Sequence, residues 1–122
     1  MYTLVLEERT DYLYVKVECE YADFEIMSQY WHEICDIAVK RKTRRVLVDM
    51  AIADSPSMSD LFQLATTISE NLQARKIRFA VFDRFEAQWE VNQFAEMAAT
   101  NRGLDARAFR DIEAAEKWLG LP

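Results

Sequence analysis

The chain is poor in the residues that build several familiar kinds of site. Its 122 residues contain two glycines, Gly103 and Gly120, so no glycine-rich loop can cradle the phosphates of a nucleotide in the usual way. Two cysteines, Cys19 and Cys35, and one histidine, His32, have no zinc-ligand spacing. The two thiols fall on what reads as a strand end and a helix, which is the usage of a reducing compartment and not of a disulfide framework. No apolar run approaches the roughly 20 residues that span a bilayer. The start, Met1-Tyr2-Thr3-Leu4-Val5-Leu6-Glu7-Glu8, lacks the basic segment of a signal peptide. Positive charge is scarce as well: 15 Lys and Arg against 21 Asp and Glu give a formal charge of -6, which argues against general affinity for nucleic acid or anionic membranes. These absences predict a cytoplasmic protein without metal or cofactor.

What is present is enough for a core. With 51% hydrophobic and 30% charged residues, the chain suits one globular domain over 1–122, able to bury roughly two thirds of its unfolded surface. Residues 2–8 and 12–18 alternate apolar with polar, the period of half-exposed strands, and Thr10 and Asp11 between them read as the turn of an antiparallel hairpin. Asp23 can cap a helix over 24–42 whose inward stripe is Met27, Trp31, Ile34 and Ala38, with Tyr30 and Ile37 alongside. Arg45-Val46-Leu47-Val48-Asp49-Met50 reads as a strand buried on both faces. The segment 51–60 then crosses the strand's carboxyl end, where α/β folds place their sites.

A helix over 58–74 follows, with Leu61, Leu64, Ala65, Ile68 and Leu72 in line, and then a strand over 77–82. Asp83 and Glu86 have the spacing of a cap pair for a third helix, which ends at Gly103. Its buried stripe should be Ala87, Val91, Phe94, Ala95 and Ala98. A short strand over 106–109 and a helix capped by Asp111 close the chain at Gly120 and Pro122. The order β-β-α-β-α-β-α-β-α predicts a single mixed α/β sheet with right-handed parallel crossovers and an antiparallel edge.

The opening hairpin, the helix-separated strands and a serine segment after the buried Leu47-Val48-Asp49 together resemble the STAS domain, the fold of bacterial anti-sigma-factor antagonists. The ending Phe109-Arg110-Asp111-Ile112-Glu113-Ala114-Ala115-Glu116-Lys117-Trp118-Leu119 resembles the close of the small stand-alone SpoIIAA-like proteins. The resemblance implies a regulatory or protein-interaction module without catalysis. For the SpoIIAA-like group it also implies the holding of small apolar, lipid-like ligands. In antagonists the phosphorylated serine stands in Asp-Ser-Ser-Gly, whereas this chain has Asp54-Ser55-Pro56-Ser57 with no glycine. Ser55 would take the place of the first serine, with a proline beside it.

Other chemistry explains the same residues. Ser55-Pro56 has the form of an N-cap followed by proline at the first helical position, and Ser57 with Asp60 is an alternative capping box. Asp49 and Asp83 both end strands and could form a carboxylate pair for Mg²⁺, although Asp83 as a helix cap is the simpler account. His32, near Glu33 and Asp36 at the edge of its helical stripe, reads as solvated. Cys35 three residues on reads as packing, and no nucleophile, base and oxyanion set converges.

The run Lys40-Arg41-Lys42-Thr43-Arg44-Arg45 complements a helix C-terminus or, alternatively, docks an acidic partner. At 100° per residue Trp89 falls about 160° from Val91, off the core face. Large aromatics in such places are enriched at interfaces. This predicts a homodimer through the third helix with Phe85 or Met97 beside Trp89; the alternative is that all three fold over a neighbouring loop.

Overall fold

The computed structural model describes residues 1–54, 57–72 and 75–121. The alternating segments pair as β1 (Thr3–Glu8) and β2 (Leu13–Tyr21), antiparallel, with Thr3 opposite Glu18 and Glu8 opposite Leu13. β3 (Arg45–Asp54), β4 (Arg78–Asp83) and β5 (Asp105–Phe109) each add in parallel. Among the described residues the result is a mixed five-stranded sheet in the order β1-β2-β3-β4-β5. The connections are α1 (Phe24–Lys40), α2 (Met58–Asn71) and α3 (Trp89–Thr100), and α4 (Ile112–Leu119) closes the chain.

Because the strands follow in chain order, successive right-handed crossovers place their helices on one face. Val15, Val17, Val46, Val48 and Phe79 meet α1, α2 and α3 there in the larger core. The residues of opposite parity face α4, where Leu47 and Ala80 pack on Ala115 and Leu119. Val46, Leu47 and Val48 are all fully buried, as a strand covered on both faces requires. No helix among the described residues is long and apolar enough to cross a membrane.

Several local expectations need correction. β3 runs four residues past Met50, because Glu18, Cys19 and Tyr21 of β2 continue to pair with Ala51, Ile52 and Asp54. In α1 Tyr30 and Cys35 are buried and Trp31 is half-buried, so the stripe is rotated toward Cys35. The third helix does not start on an Asp83–Glu86 cap. Asp83 closes β4, and its Oδ1 accepts the N–H of Phe85 at 2.8 Å. A single 3₁₀ turn (Glu86–Gln88) then precedes α3 and has no side-chain cap. That turn shifts the helical phase, so Ala87 is exposed and Gln88 takes the inward position.

Helix ends follow simple chemistry. Asp23 accepts the N–H of Ile26, and Asp111 that of Ala114, each at 2.8 Å. α1 and α3 end in the same pair of bonds. Thr43 N–H reaches Ala38 and Lys42 N–H reaches Val39; Leu104 N–H reaches Ala99 and Gly103 N–H reaches Thr100. This Schellman closure needs a left-handed residue, supplied by Gly103 at φ 84° and, unusually, by Lys42 at φ 55°. Gly120 ends α4 in ordinary right-handed geometry at φ -76°.

Candidate functional site

The start of α2 is the place to which the sequence directs attention. Ser57 is the N-cap residue, and its Oγ accepts the N–H of Asp60 at 3.2 Å, satisfying one of the orphan donors of the first turn. Ser55 and Pro56 lie outside the described residues. On the same helix Met58 and Phe62, one turn apart, expose about half of their surface.

The two strand-ending carboxylates do not form a pair. Asp49 is opposite Phe82, and Asp83 is opposite Met50. Side chains alternate along a strand, so this register sends Asp49 to the α4 face and Asp83 to the face of the three other helices. Among the described residues no three His, Cys, Asp or Glu side chains gather as a metal site.

Asp49 is fully buried, and its charge is met by the Arg84 guanidinium and by the Tyr14 hydroxyl, which donates to Oδ2. Burial and the carboxylate together push the Tyr14 hydroxyl up to about 12. The sequence carried one hint of this: a carboxylate inside an apolar run needs a cation. It did not say that the cation would be Arg84, the residue that follows β4.

Asp83 lines a cavity of about 110 Å³ under α1, α2 and α3. Met27, Trp31, Ile68, Phe79 and Val91 make much of its wall, and Gln88, 6% exposed, is one of its few polar groups. Burial raises the Asp83 carboxyl to about 6 despite hydrogen bonds from the N–H groups of Phe85 and Ile52, which act the other way.

The remaining candidates resolve as follows. His32 is half-buried; its Nδ1 lies 2.7 Å from the Ser28 carbonyl and 3.2 Å from the Ser28 hydroxyl. The carbonyl can only accept, so Nδ1 serves there as a donor. Cys35 also lines the cavity, and burial pushes its thiol up to about 12, away from the reactive thiolate. Phe85 and Met97 are 44% and 51% exposed. Trp89 is half-buried beneath the Arg110 guanidinium, 4.8 Å from the ring centroid, and Glu86 holds that guanidinium at 3.0 Å. The indole is therefore partly covered within the chain, by a contact absent from the sequence reading.

No protein-family model and no curated protein sequence matches the chain. Its architecture is that of SpoIIAA-like proteins. It is similar over 97% of its length to an uncharacterized protein with a SpoIIAA-like fold from Shewanella loihica PV-4, with 16% identity, TM-score 0.60 and 93% of that chain covered. It is similar over 98% of its length to an anti-sigma factor antagonist from Mycobacterium paratuberculosis, with 13% identity, TM-score 0.65 and 94% covered. The anti-sigma factor antagonist SpoIIAA in its unphosphorylated form is matched over 98% of this chain and 100% of its own, with 15% identity and TM-score 0.52. The STAS-like reading of the fold is thereby established at the level of architecture.

Proposed function

We propose that this chain is a non-catalytic interaction module of the STAS type whose partner docks on the outer surface of α2 and α3. The observation that carries this reading is the placement of exposed apolar groups. Met58 and Phe62 on α2, with Phe85 and Met97 on the neighbouring turn and α3, each leave more than two fifths of their surface in water. Large apolar groups exposed on a pair of helices that pack on each other are the material of an association surface. Two structural neighbours are anti-sigma factor antagonists, which favours a protein partner for this chain as well. A homodimer through the third helix, with Phe85 or Met97 beside Trp89, in a cytoplasmic protein, belongs to the same proposal. Phosphorylation of Ser55 or Ser57 is a further element of it, opposed by the capping role of Ser57. The test is capture of the full chain from its own host cells beside Phe62→Glu and Met97→Glu variants. A partner held by the parent and lost by a folded variant supports the reading, whereas identical partners for all three overturn it.

A second reading, a carrier for a small apolar ligand, is favoured by the cavity beneath the helices. An apolar cavity of roughly 150 Å³ accepts benzene in another protein, so about 110 Å³ fits one small ring at most. Native mass spectrometry of the host-purified protein decides this one. A retained small mass supports it, and a bare chain under gentle conditions sinks it.

A further inference from the structure

The last two residues of the basic run seen in the sequence, Arg44 and Arg45, belong to a larger feature. At the amino ends of the parallel strands, the edge to which α1, α2 and α3 run, an open groove of about 690 Å³ is lined by residues from four parts of the chain. Arg44 and Arg45 come from the start of β3, Arg75, Lys76 and Arg78 from the approach to β4, and Arg102 from beyond α3. Among the described lining residues Glu70 and Asp105 are the carboxylates. A chain of net charge -6 thus concentrates a local excess of four positive charges in one concavity.

Ordinary structural roles account for only part of this cluster. Arg78 pairs with Asp105 at 3.2 Å and donates to the carbonyls of Trp118 and Leu121. Arg45 reaches the Leu121 carbonyl at 3.3 Å. Arg102 donates to Thr66 Oγ1 and the Ala98 carbonyl and lies over the Phe62 ring. The side chains of Arg44, Arg75 and Lys76 are exposed and have no ion-pair or hydrogen-bond partner among the described residues. Helix dipoles do not explain them, since Arg44 lies beyond the last turn of α1, Arg75 and Lys76 lie beyond that of α2, and the dipole effect fades within that turn. In addition, Arg45 and Arg78 stand opposite each other across β3 and β4, a like-charge arrangement that destabilises a sheet.

We propose that this groove binds a small organic diphosphate. Guanidinium forks match phosphate oxygens in bidentate geometry, and the excess of four charges is balanced by two phosphate groups together with ordinary counter-ions. Half-buried Leu104 gives the groove apolar surface for the organic part, with the core residues Leu72 and Ile77 behind it. The volume lies within the range of small-molecule sites, roughly 300–1,000 Å³. A compact anion inside the groove sits within about one Debye length, roughly 10 Å, of the cations, whereas an extended nucleic acid would also meet the acidic remainder of the surface.

The test is calorimetric titration of the full chain at low salt with ADP, inorganic pyrophosphate, adenosine and an oligoglutamate peptide. ADP is expected to bind saturably at one site, pyrophosphate more weakly, and adenosine not at all. An Arg44→Gln/Arg75→Gln variant removes two side chains that have no partner among the described residues, so its melting curve should match that of the parent while its ADP affinity falls at least tenfold. The proposal is overturned if ADP gives no saturable heat at millimolar concentration, if the variant binds ADP unchanged, or if oligoglutamate binds more tightly than ADP. Equal affinities for pyrophosphate and ADP would overturn the assignment of an organic part.

Discussion

Arg84 closes over Asp49 with both arms of its guanidinium, Nε 3.1 Å from Oδ1 and Nη2 2.7 Å from Oδ2. The carboxylate has no exposed surface, while the arginine side chain remains 52% exposed. Removing one partner of a buried pair typically costs about 3–5 kcal/mol, because the remaining charge is stranded. Arg84→Met should therefore lower stability by about 3 kcal/mol, the Tyr14 hydroxyl remaining as a partial partner. Adding Asp49→Asn to that variant should restore at least half of the loss. Urea denaturation of the two variants checks both statements, and a loss below about 1 kcal/mol for the single variant would contradict the buried-pair account.

Asp83 gives stability a dependence on pH. Its carboxyl is raised from an ordinary 3.8 to about 6, chiefly by burial. Between those values the folded chain holds a proton that the unfolded chain releases, so stability falls as pH rises from about 4 to about 6 and is flat above. Asp83→Asn keeps the oxygen that accepts the Phe85 N–H and has no charge to bury, while its amide nitrogen cannot accept the Ile52 N–H, a loss that is the same at every pH. Relative to the parent, its melting temperature should gain nothing below pH 4 and most above pH 6. A constant difference across that window would show that Asp83 is not the titrating group.

The ends of α1 and α3 offer a matched pair. Both need a left-handed residue, and α1 uses Lys42 where α3 uses Gly103. A side chain in that conformation costs roughly 1–2 kcal/mol. Lys42→Gly should stabilise the protein by up to about 1 kcal/mol, and Gly103→Ala should destabilise it by about 1 kcal/mol. A Cβ at Gly103 meets no atom within 4 Å, so the second effect isolates backbone conformation from packing. Thermal melts of the two variants moving in the same direction would refute this.

Ser57→Ala removes the acceptor for the Asp60 N–H and should lower stability by about 1 kcal/mol. Ser57→Asp, which keeps a capping oxygen and favours the helix N-terminus, should recover it. An alanine variant as stable as the parent would show that the cap is dispensable and would leave the serine free for another role.

The proposed homodimer has its own measurement. Sedimentation at high concentration should show a dimer for the parent and a folded monomer for Met97→Glu. Trp89→Glu should behave likewise, but with a lower melting temperature, since the Arg110 guanidinium loses the ring beneath it. A parent that is monomeric throughout ends the idea.

The sheet and its helices were legible because their periods are written locally. The alternation in β1 and β2 and the Leu61, Leu64, Ala65, Ile68, Leu72 stripe of α2 need no knowledge of the rest of the chain. The 3₁₀ turn was not legible: Asp83 and Glu86 have the spacing of a cap pair, but the bond from Phe85 to Asp83 uses that carboxylate first. Partners joined by strand register were also hidden. Arg84 and Asp49 are 35 positions apart, and Arg45 meets Arg78 only because β3 and β4 run in parallel. The serine segment was visible as a feature, yet its reading rested on a strand taken to end at Met50 and not at Asp54.

The strand order has a consequence for where this molecule can hold anything. In doubly wound sheets the order reverses once, helices on either side of that point leave in opposite directions, and a crevice opens beyond the carboxyl ends of two strands. Here β1 to β5 are laid down like slats, each beside the last. Without that reversal, no switch-point crevice of this kind forms among the described residues. Of the two concavities, one runs beneath the helices and reaches Asp83 at the carboxyl end of β4, and the other lies at the opposite rim. A small occupant of either would therefore lie under the helices or at their carboxyl ends, and not in a cleft between diverging helices.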